Sequence, residues 1–382
     1  MKNITLFVHY DTYNDLKEKR NYAVSAKNKV DYIINCLNKI GYEVTIVSAS
    51  ESLAEKGYFK KRKEHIGSNT VILFSSFGTK NKIMKIIRKI LINLNLLFYI
   101  IFNIKKKEKV MVYHSLEYIW MYKFLKKVKK NKFILEVEEI YSDVIKKCFI
   151  KRKKELKNID YASGYIFVTN LLQDRINANK KSYCVSHGTY KIENYKVNKF
   201  DDKINIIYSG IIDEKKGSFM AVELAKFLDN KYSIKIIGYG NEKNVKLLYK
   251  KIKISNNYYS CKVKYDGLKT GDEYIKYLQK CDVGLSTQDA NASYNLTSFP
   301  SKILAYLSNG LRVVSVDIPA IRTSDVGDIL YYYKNNDPKE IADIIKNIDF
   351  NKKYDSRKLI SKLDKRFCKD LDKMLGEINN DK

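Results

Sequence analysis

Residues 204–228 read INIIYSGIIDEKKGSFMAVELAKFL. The run INIIYSG has the apolar continuity of a strand covered on both faces. A loop carrying Lys215, Lys216 and Gly217 follows, and SFMAVELAKFL then shows the spacing of a helix. Strand, loop and helix in this order form the unit from which parallel sheets are wound. The alternation continues through SIKIIGYG (233–240), KVKYDGL (262–268), DVGLST (282–287), LRVVSV (311–316) and ILYYY (329–333), with GDEYIKYLQKC among the helical stretches between. In NDPKEIADIIKNI, Asp337 suits an N-cap and Pro338 the first helical position.

The same rhythm fills the first half of the chain. ITLFVHY (4–10) is strand-like, SAKNKVDYIINCLNKI (25–40) helical, and YEVTIVS strand-like again after Gly41. TVILFS (70–75), KVMVYH (109–114), KFILEV (132–137) and GYIFVT (164–169) are further strands. The polar stretch KIENYKVNKFDDK (191–203) separates the halves. With 382 residues the chain exceeds what a single core holds. The expected fold class is α/β: two Rossmann-like, doubly wound domains facing a central cleft. Residues 1–195 make the first domain, 196–360 the second, and 361–382 a helix returning to the first. Ligands of such sheets gather where the strands end.

Charge narrows the partners. The formal charge is +29, and residues 1–200 hold 40 Lys and Arg against 18 Asp and Glu. A basic first half suits anionic partners: nucleic acid, anionic lipid or phosphorylated substrates. Residues 86–104, IIRKILINLNLLFYIIFNI, are flanked by lysines. The uncharged stretch from Ile90 to Ile104 is short for a membrane span and carries three Asn. It fits either a helix in a membrane interface or a buried helix of the first domain. Six scattered cysteines show neither CxxC pairs nor neighbouring histidines, which argues against zinc and for a reducing compartment. The start, MKNITLFVHYD, turns polar too soon for a secretory signal.

Three stretches could carry chemistry. In NLTSFPSKILAYLSNG (295–310), Pro300 opens a helix that Gly310 closes. Thr297, Ser298, Phe299, Pro300, Ser301 and Lys302 then form a loop at a helix start, with the hydroxyls and charge of a phosphate cradle or simply a capped helix. Lys216, just beyond the strand ending at Gly210, is either a phosphate contact or a solvated lysine. Gly238 and Gly240 in IIGYGNE end the next strand without the third glycine of a dinucleotide fingerprint.

Taken in order, these pieces resemble the donor-binding domain of GT-B-fold retaining glycosyltransferases of the family-4 type, over residues 204–345. LEVEEIYSD, GYIFVT and VSHGTY give a looser match in the first half. The resemblance implies transfer of a sugar from a nucleotide-diphosphate sugar, UDP-sugar favoured, to a hydroxyl acceptor, with retention and with no metal or other cofactor. Lys216 would contact the donor diphosphate, the FPSK segment the donor sugar and phosphate, and Gly238 and Gly240 the nucleotide. Glu138 and Glu139, with His114 from the preceding strand, would be the catalytic candidates, and His9, Tyr10 and Asp11 would touch acceptor. Where relatives place a base after the first strand's glycine, Ile211 stands here; where they have paired acids, Thr297 and Ala305 stand.

The basic first half suits a lipid-linked acceptor of cell-surface polysaccharide assembly, with the enzyme peripheral on the cytoplasmic face of the membrane. A nucleotide-sugar epimerase or hydrolase on the same fold is an alternative. A nucleic-acid-binding role has only the charge in its favour, because no nucleic-acid-reading motif is present.

Overall fold

The first half of the chain runs β1 (Lys2–Val8), α1 (Val24–Lys39), β2 (Tyr42–Ser48), β3 (Tyr58–Phe59), β4 (Arg62–Ile66), β5 (Asn69–Leu73), β6 (Ser76–Phe77), α2 (Lys82–Asn103), β7 (Lys109–Tyr113), α3 (Ile119–Phe124), β8 (Phe133–Val137), α4 (Tyr141–Val144), α5 (Phe149–Ile159), β9 (Gly164–Phe167), α6 (Leu171–Ile176) and β10 (Tyr183–Val185). The second half runs β11 (Ile204–Ile211), α7 (Ser218–Glu223), β12 (Tyr232–Tyr239), α8 (Glu242–Tyr258), β13 (Lys262–Tyr265), α9 (Gly271–Leu278), β14 (Val283–Ser286), α10 (Lys302–Ser308), β15 (Arg312–Val316), α11 (Pro319–Arg322), β16 (Tyr331–Tyr333), α12 (Pro338–Lys346) and α13 (Ser356–Asn380). This computed structural model describes residues 2–12, 17–144, 149–177, 179–213, 216–289, 295 and 297–380.

The chain divides into two units, Met1–Ser186 with Arg366–Lys382, and His187–Lys365. The boundary falls a few residues ahead of the polar stretch. Segment 187–190 belongs to the second unit because His187 meets Asp325 at 3.2 Å and stacks near Phe299. The last helix is longer than 361–382 implied: α13 starts at Ser356 in the second unit and ends in the first, where Phe367 lies on Tyr32.

In the first unit the strand order is β10-β9-β8-β7-β1-β2-β5-β4, parallel except for β4, which pairs antiparallel with β5. β3 and β6 form a small antiparallel pair of their own. The second unit holds an all-parallel sheet, β13-β12-β11-β14-β15-β16. Ile206, Ile207 and Tyr208 of β11 are fully buried, as a strand with helices on both faces must be.

Both sheets wind outward in one direction and then restart on the other side. The reversal lies between β1 and β7 in the first unit and between β11 and β14 in the second. At such a point the adjoining connections leave in opposite directions, and a crevice opens beyond the carboxyl ends of the strands.

Candidate functional site

Beside the reversal of the second unit, two glycines meet at the ends of neighbouring strands. Gly210 of β11 pairs with Gly238 of β12. Gly238 has φ +139°, and a Cβ on it would lie 1.7 Å from the carbonyl oxygen of Gly210. No other residue fits there. Gly217 is equally constrained: φ is +87°, and a Cβ would lie 1.6 Å from the Thr287 carbonyl at the end of β14. The loop after β11 is thereby drawn against β14, and the Thr287 hydroxyl donates to Gly217 O at 3.1 Å. The Tyr208 hydroxyl, 2.9 Å from Ile211 O and 2.8 Å from Lys216 O, ties the same loop to the strand beneath.

Lys302 reaches this place from α10. Its Nζ lies 4.4 Å from the centre of the Tyr208 ring and would be 3.5 Å from a Cβ on Gly210. The ammonium therefore occupies the strand end where the sequence has Ile211 in place of a base. α10 is held there by Tyr306, whose hydroxyl accepts from Ser209 N at 2.9 Å and lies 3.0 Å from Ser209 Oγ. Burial, and then the charge of Lys216, press the Lys302 pKa down from 10.5 to about 7. Among the described residues no carboxylate counters these effects. Lys216 itself is exposed. One half-buried and one exposed cation at a glycine-lined strand end make a seat for an anion with more than one charge.

The rest of the proline segment serves this arrangement. Pro300 stands ahead of the helix, not at its first position: the cap position is Ser301 and α10 begins at Lys302. Phe299 is buried with its ring 4.9 Å from that of His187. Thr297 is buried, Ser298 and Pro300 are half-buried, and Ser301 is exposed. With seven residues, α10 contributes less through its amides than through Lys302. Gly240 packs against Ile212, where a Cβ would lie 2.7 Å from Ile212 O. Lys215 lies outside the described residues. Tyr208 and Tyr306 are the residues that sequence reasoning missed; for Tyr208 the available signal was a tyrosine inside an otherwise apolar strand, and Tyr306, in α10, gave none.

In the first unit, the residues beyond β1 and β7 separate into structural and accessible ones. His114 is buried, with Nδ1 2.9 Å from the Tyr122 hydroxyl and Nε2 2.9 Å from Glu155 Oε1. Glu155 also accepts from the backbone N–H groups of Tyr141 and Ser142, both at 2.9 Å. With both ring nitrogens occupied, His114 holds α5 to the sheet and is not a catalytic candidate. Tyr10 and Asp11 are likewise buried and engaged. The Tyr10 hydroxyl donates to Asp31 at 2.6 Å, and Asp11 accepts from Thr12 N at 2.8 Å and lies 3.6 Å from Arg62.

His9 is more open. Its ring stacks on Tyr118 at 5.1 Å, and Nε2 lies 3.4 Å from Glu117, itself paired with Lys89 at 2.9 Å. Burial pulls the His9 pKa below its usual value.

Glu138 and Glu139 follow β8 and are half-buried. Lys29 of α1 lies 3.4 Å from Glu138 and 2.5 Å from Glu136. Burial drives the Glu136 carboxyl up to about 7, against the pull of Lys29. The Lys29–Glu136 pair was missed in the sequence, although an acid inside FILEV needs a buried cation.

No family model matches this chain, and no curated protein matches its sequence. Solved structures match over nearly the whole length. A trehalose-6-phosphate structure from E. coli bound with UDP-2-fluoro glucose has a TM-score of 0.70 at 10% identity, covering 99% of both chains. The UDP-forming alpha,alpha-trehalose-phosphate synthase of Burkholderia xenovorans, in complex with glucose-6-phosphate, has a TM-score of 0.69 at 10% identity, covering 100% of both. HepE of Anabaena in complex with UDP has a TM-score of 0.60 at 11% identity, covering 99% of both. At this level of identity the likeness concerns architecture, and with the two reversed parallel sheets it gives one conclusion: this chain has the GT-B fold, two Rossmann-like α/β domains in sequence.

Proposed function

We propose that this protein is a glycosyltransferase that moves a sugar from a nucleotide-diphosphate sugar to a hydroxyl acceptor. The observation that carries the reading is the Lys216–Lys302 pair at the glycine-lined strand reversal of the second unit. Structures of the same fold that hold UDP or UDP-2-fluoro glucose support a UDP-sugar as donor. The glucose-6-phosphate complex supports a hydroxyl-bearing acceptor.

Departure of the diphosphate builds negative charge, and the two lysines lie where they would stabilise it. In this reading the cations do the work of a metal, and the anomeric configuration is retained. Glu138 and Glu139 are the acids left to position the acceptor, and His9, beyond the first strand, is a further acceptor-side candidate. The basic first half favours a lipid-linked acceptor of cell-surface polysaccharide synthesis, used at the cytoplasmic face of a membrane.

The test has two parts. Thermal unfolding with UDP-, GDP- and dTDP-sugars should single out one donor, because a bound ligand raises the transition by mass action. Lys216→Ala and Lys302→Ala should each abolish that shift and the donor turnover. Full turnover in both variants removes this donor site.

A further inference from the structure

Helix α2 presents two apolar faces. One carries Arg88, Ile92, Leu96 and Ile100, spaced four apart and buried against the first unit. On the opposite side Ile83, Ile87, Ile90, Leu94, Phe98 and Ile101 repeat at three and four residues and are all exposed. Phe102, at the end, is 78% exposed. A continuous apolar stripe along about 27 Å of helix is far more than a soluble surface ordinarily leaves open.

The surroundings of the stripe identify what covers it. Residues 80–132 hold 15 Lys and Arg against two Glu. Lys82 and Lys85 stand at the start of the helix, and Lys105, Lys106 and Lys107 follow its end, all of them exposed. Alongside, Lys129 donates to Ile101 O at 3.1 Å. Trp120 donates to Asn93 at 2.8 Å, from an indole that suits the level of lipid headgroups. A second copy of the chain would bring a like-charged collar against this one, whereas an anionic headgroup layer complements it.

By length and composition α2 could cross a membrane. Its buried stripe forbids that, because Arg88 is held by Glu51 at 2.9 Å and by Phe77 O at 3.0 Å. One face belongs to the protein, so the other can only lie flat in an interface.

We infer that α2 is an interfacial anchor that seats the first unit on an anionic lipid bilayer, burying the Ile83–Ile101 stripe below the headgroups. The anchor connects to the acceptor side in two steps: Lys89 of α2 pairs with Glu117, and Glu117 meets His9 beyond the first strand. An acceptor carried on a lipid would arrive next to that histidine. This last point rests on the transferase reading; the anchoring itself does not.

The test uses the full chain and vesicles without donor or acceptor. Wild type should co-sediment with phosphatidylcholine vesicles containing about 30% phosphatidylglycerol, and binding should drop at least about tenfold between about 0.1 M and about 0.5 M NaCl. Leu94→Glu/Phe98→Glu should lose at least about tenfold in partitioning, and Lys105→Glu/Lys106→Glu/Lys107→Glu should lose the preference for anionic lipid. A helical circular dichroism spectrum and a cooperative thermal transition like those of wild type confirm that both variants are folded. Failure of wild type to bind vesicles, or equal binding by the Leu94→Glu/Phe98→Glu variant, overturns the proposal. So does a lipid-free dimer that Leu94→Glu/Phe98→Glu dissociates, since the stripe would then cover a second copy. None of these outcomes bears on donor turnover, so the transferase reading stands or falls separately.

Discussion

Lys302 provides the sharpest test of the proposed donor site. Without ligand its pKa is held at about 7 by burial and by Lys216. A bound diphosphate supplies the missing counter-charge and returns the lysine to its protonated form. If UDP binds only the protonated form, apparent affinity falls by a factor of about 1 + 10^(pH − 7). That factor is about 2 at pH 7 and about 100 at pH 9, so the dissociation constant should rise about 50-fold across the interval. UDP contributes little to this change, because a terminal phosphate has already lost its second proton above about pH 6.

Titration calorimetry in two buffers of different ionisation enthalpy should also find about 0.9 proton taken up per UDP near pH 8. Lys302→Arg keeps its charge throughout and should bind UDP with a flat profile. A wild-type constant that changes less than about threefold, or an arginine variant with the wild-type slope, refutes the assignment.

Three further outcomes follow from the same geometry. Because the Lys302 pKa lies below its unfolded value, the unfolded chain binds the extra proton between about pH 7 and 10.5, and stability rises with pH across that window. Lys302→Met should flatten this rise and raise the melting temperature at neutral pH while losing UDP. Gly238→Ala should cost more than about 3 kcal/mol in chemical denaturation, since its Cβ has no room beside Gly210 O. His114→Ala should cost about 2 kcal/mol by removing one of the hydrogen bonds that Glu155 accepts, with UDP affinity unchanged; a selective loss of turnover in a fully stable variant would return His114 to the catalytic group. Burial tends to raise the Glu155 carboxyl, but the bonds from His114 and Ser142 outweigh it and hold it below the usual value. Its contribution to stability is present above about pH 4.5 and is lost as acid titrates it.

How much was legible from sequence depends on the range of the interaction. Strands and helices followed from local period, so β1, β2, β7, β8, β11 and β12 fall within a residue or two of the apolar runs. The Asp337 cap, whose side chain accepts from Lys339 N, needed only its neighbours. β4 and the β3–β6 pair were not visible, because short exposed strands are made by their partners and carry little apolar pattern.

The candidate donor residues were legible as a neighbourhood but not as an arrangement. Lys216 and Lys302 lie far apart in the chain, and only the order β11-β14, with Tyr306 fixing α10, brings the second to the end of β11. His114 reads the same on paper whether it faces solvent or, as here, Tyr122 and Glu155. The apolar run of α2 was legible, but which of its faces the core takes was not. Local sequence sets periodicity because its forces act within one turn or one pleat. Burial, charge pairing and the choice of an exposed face depend on residues brought together from distant parts of the chain, and those only packing supplies.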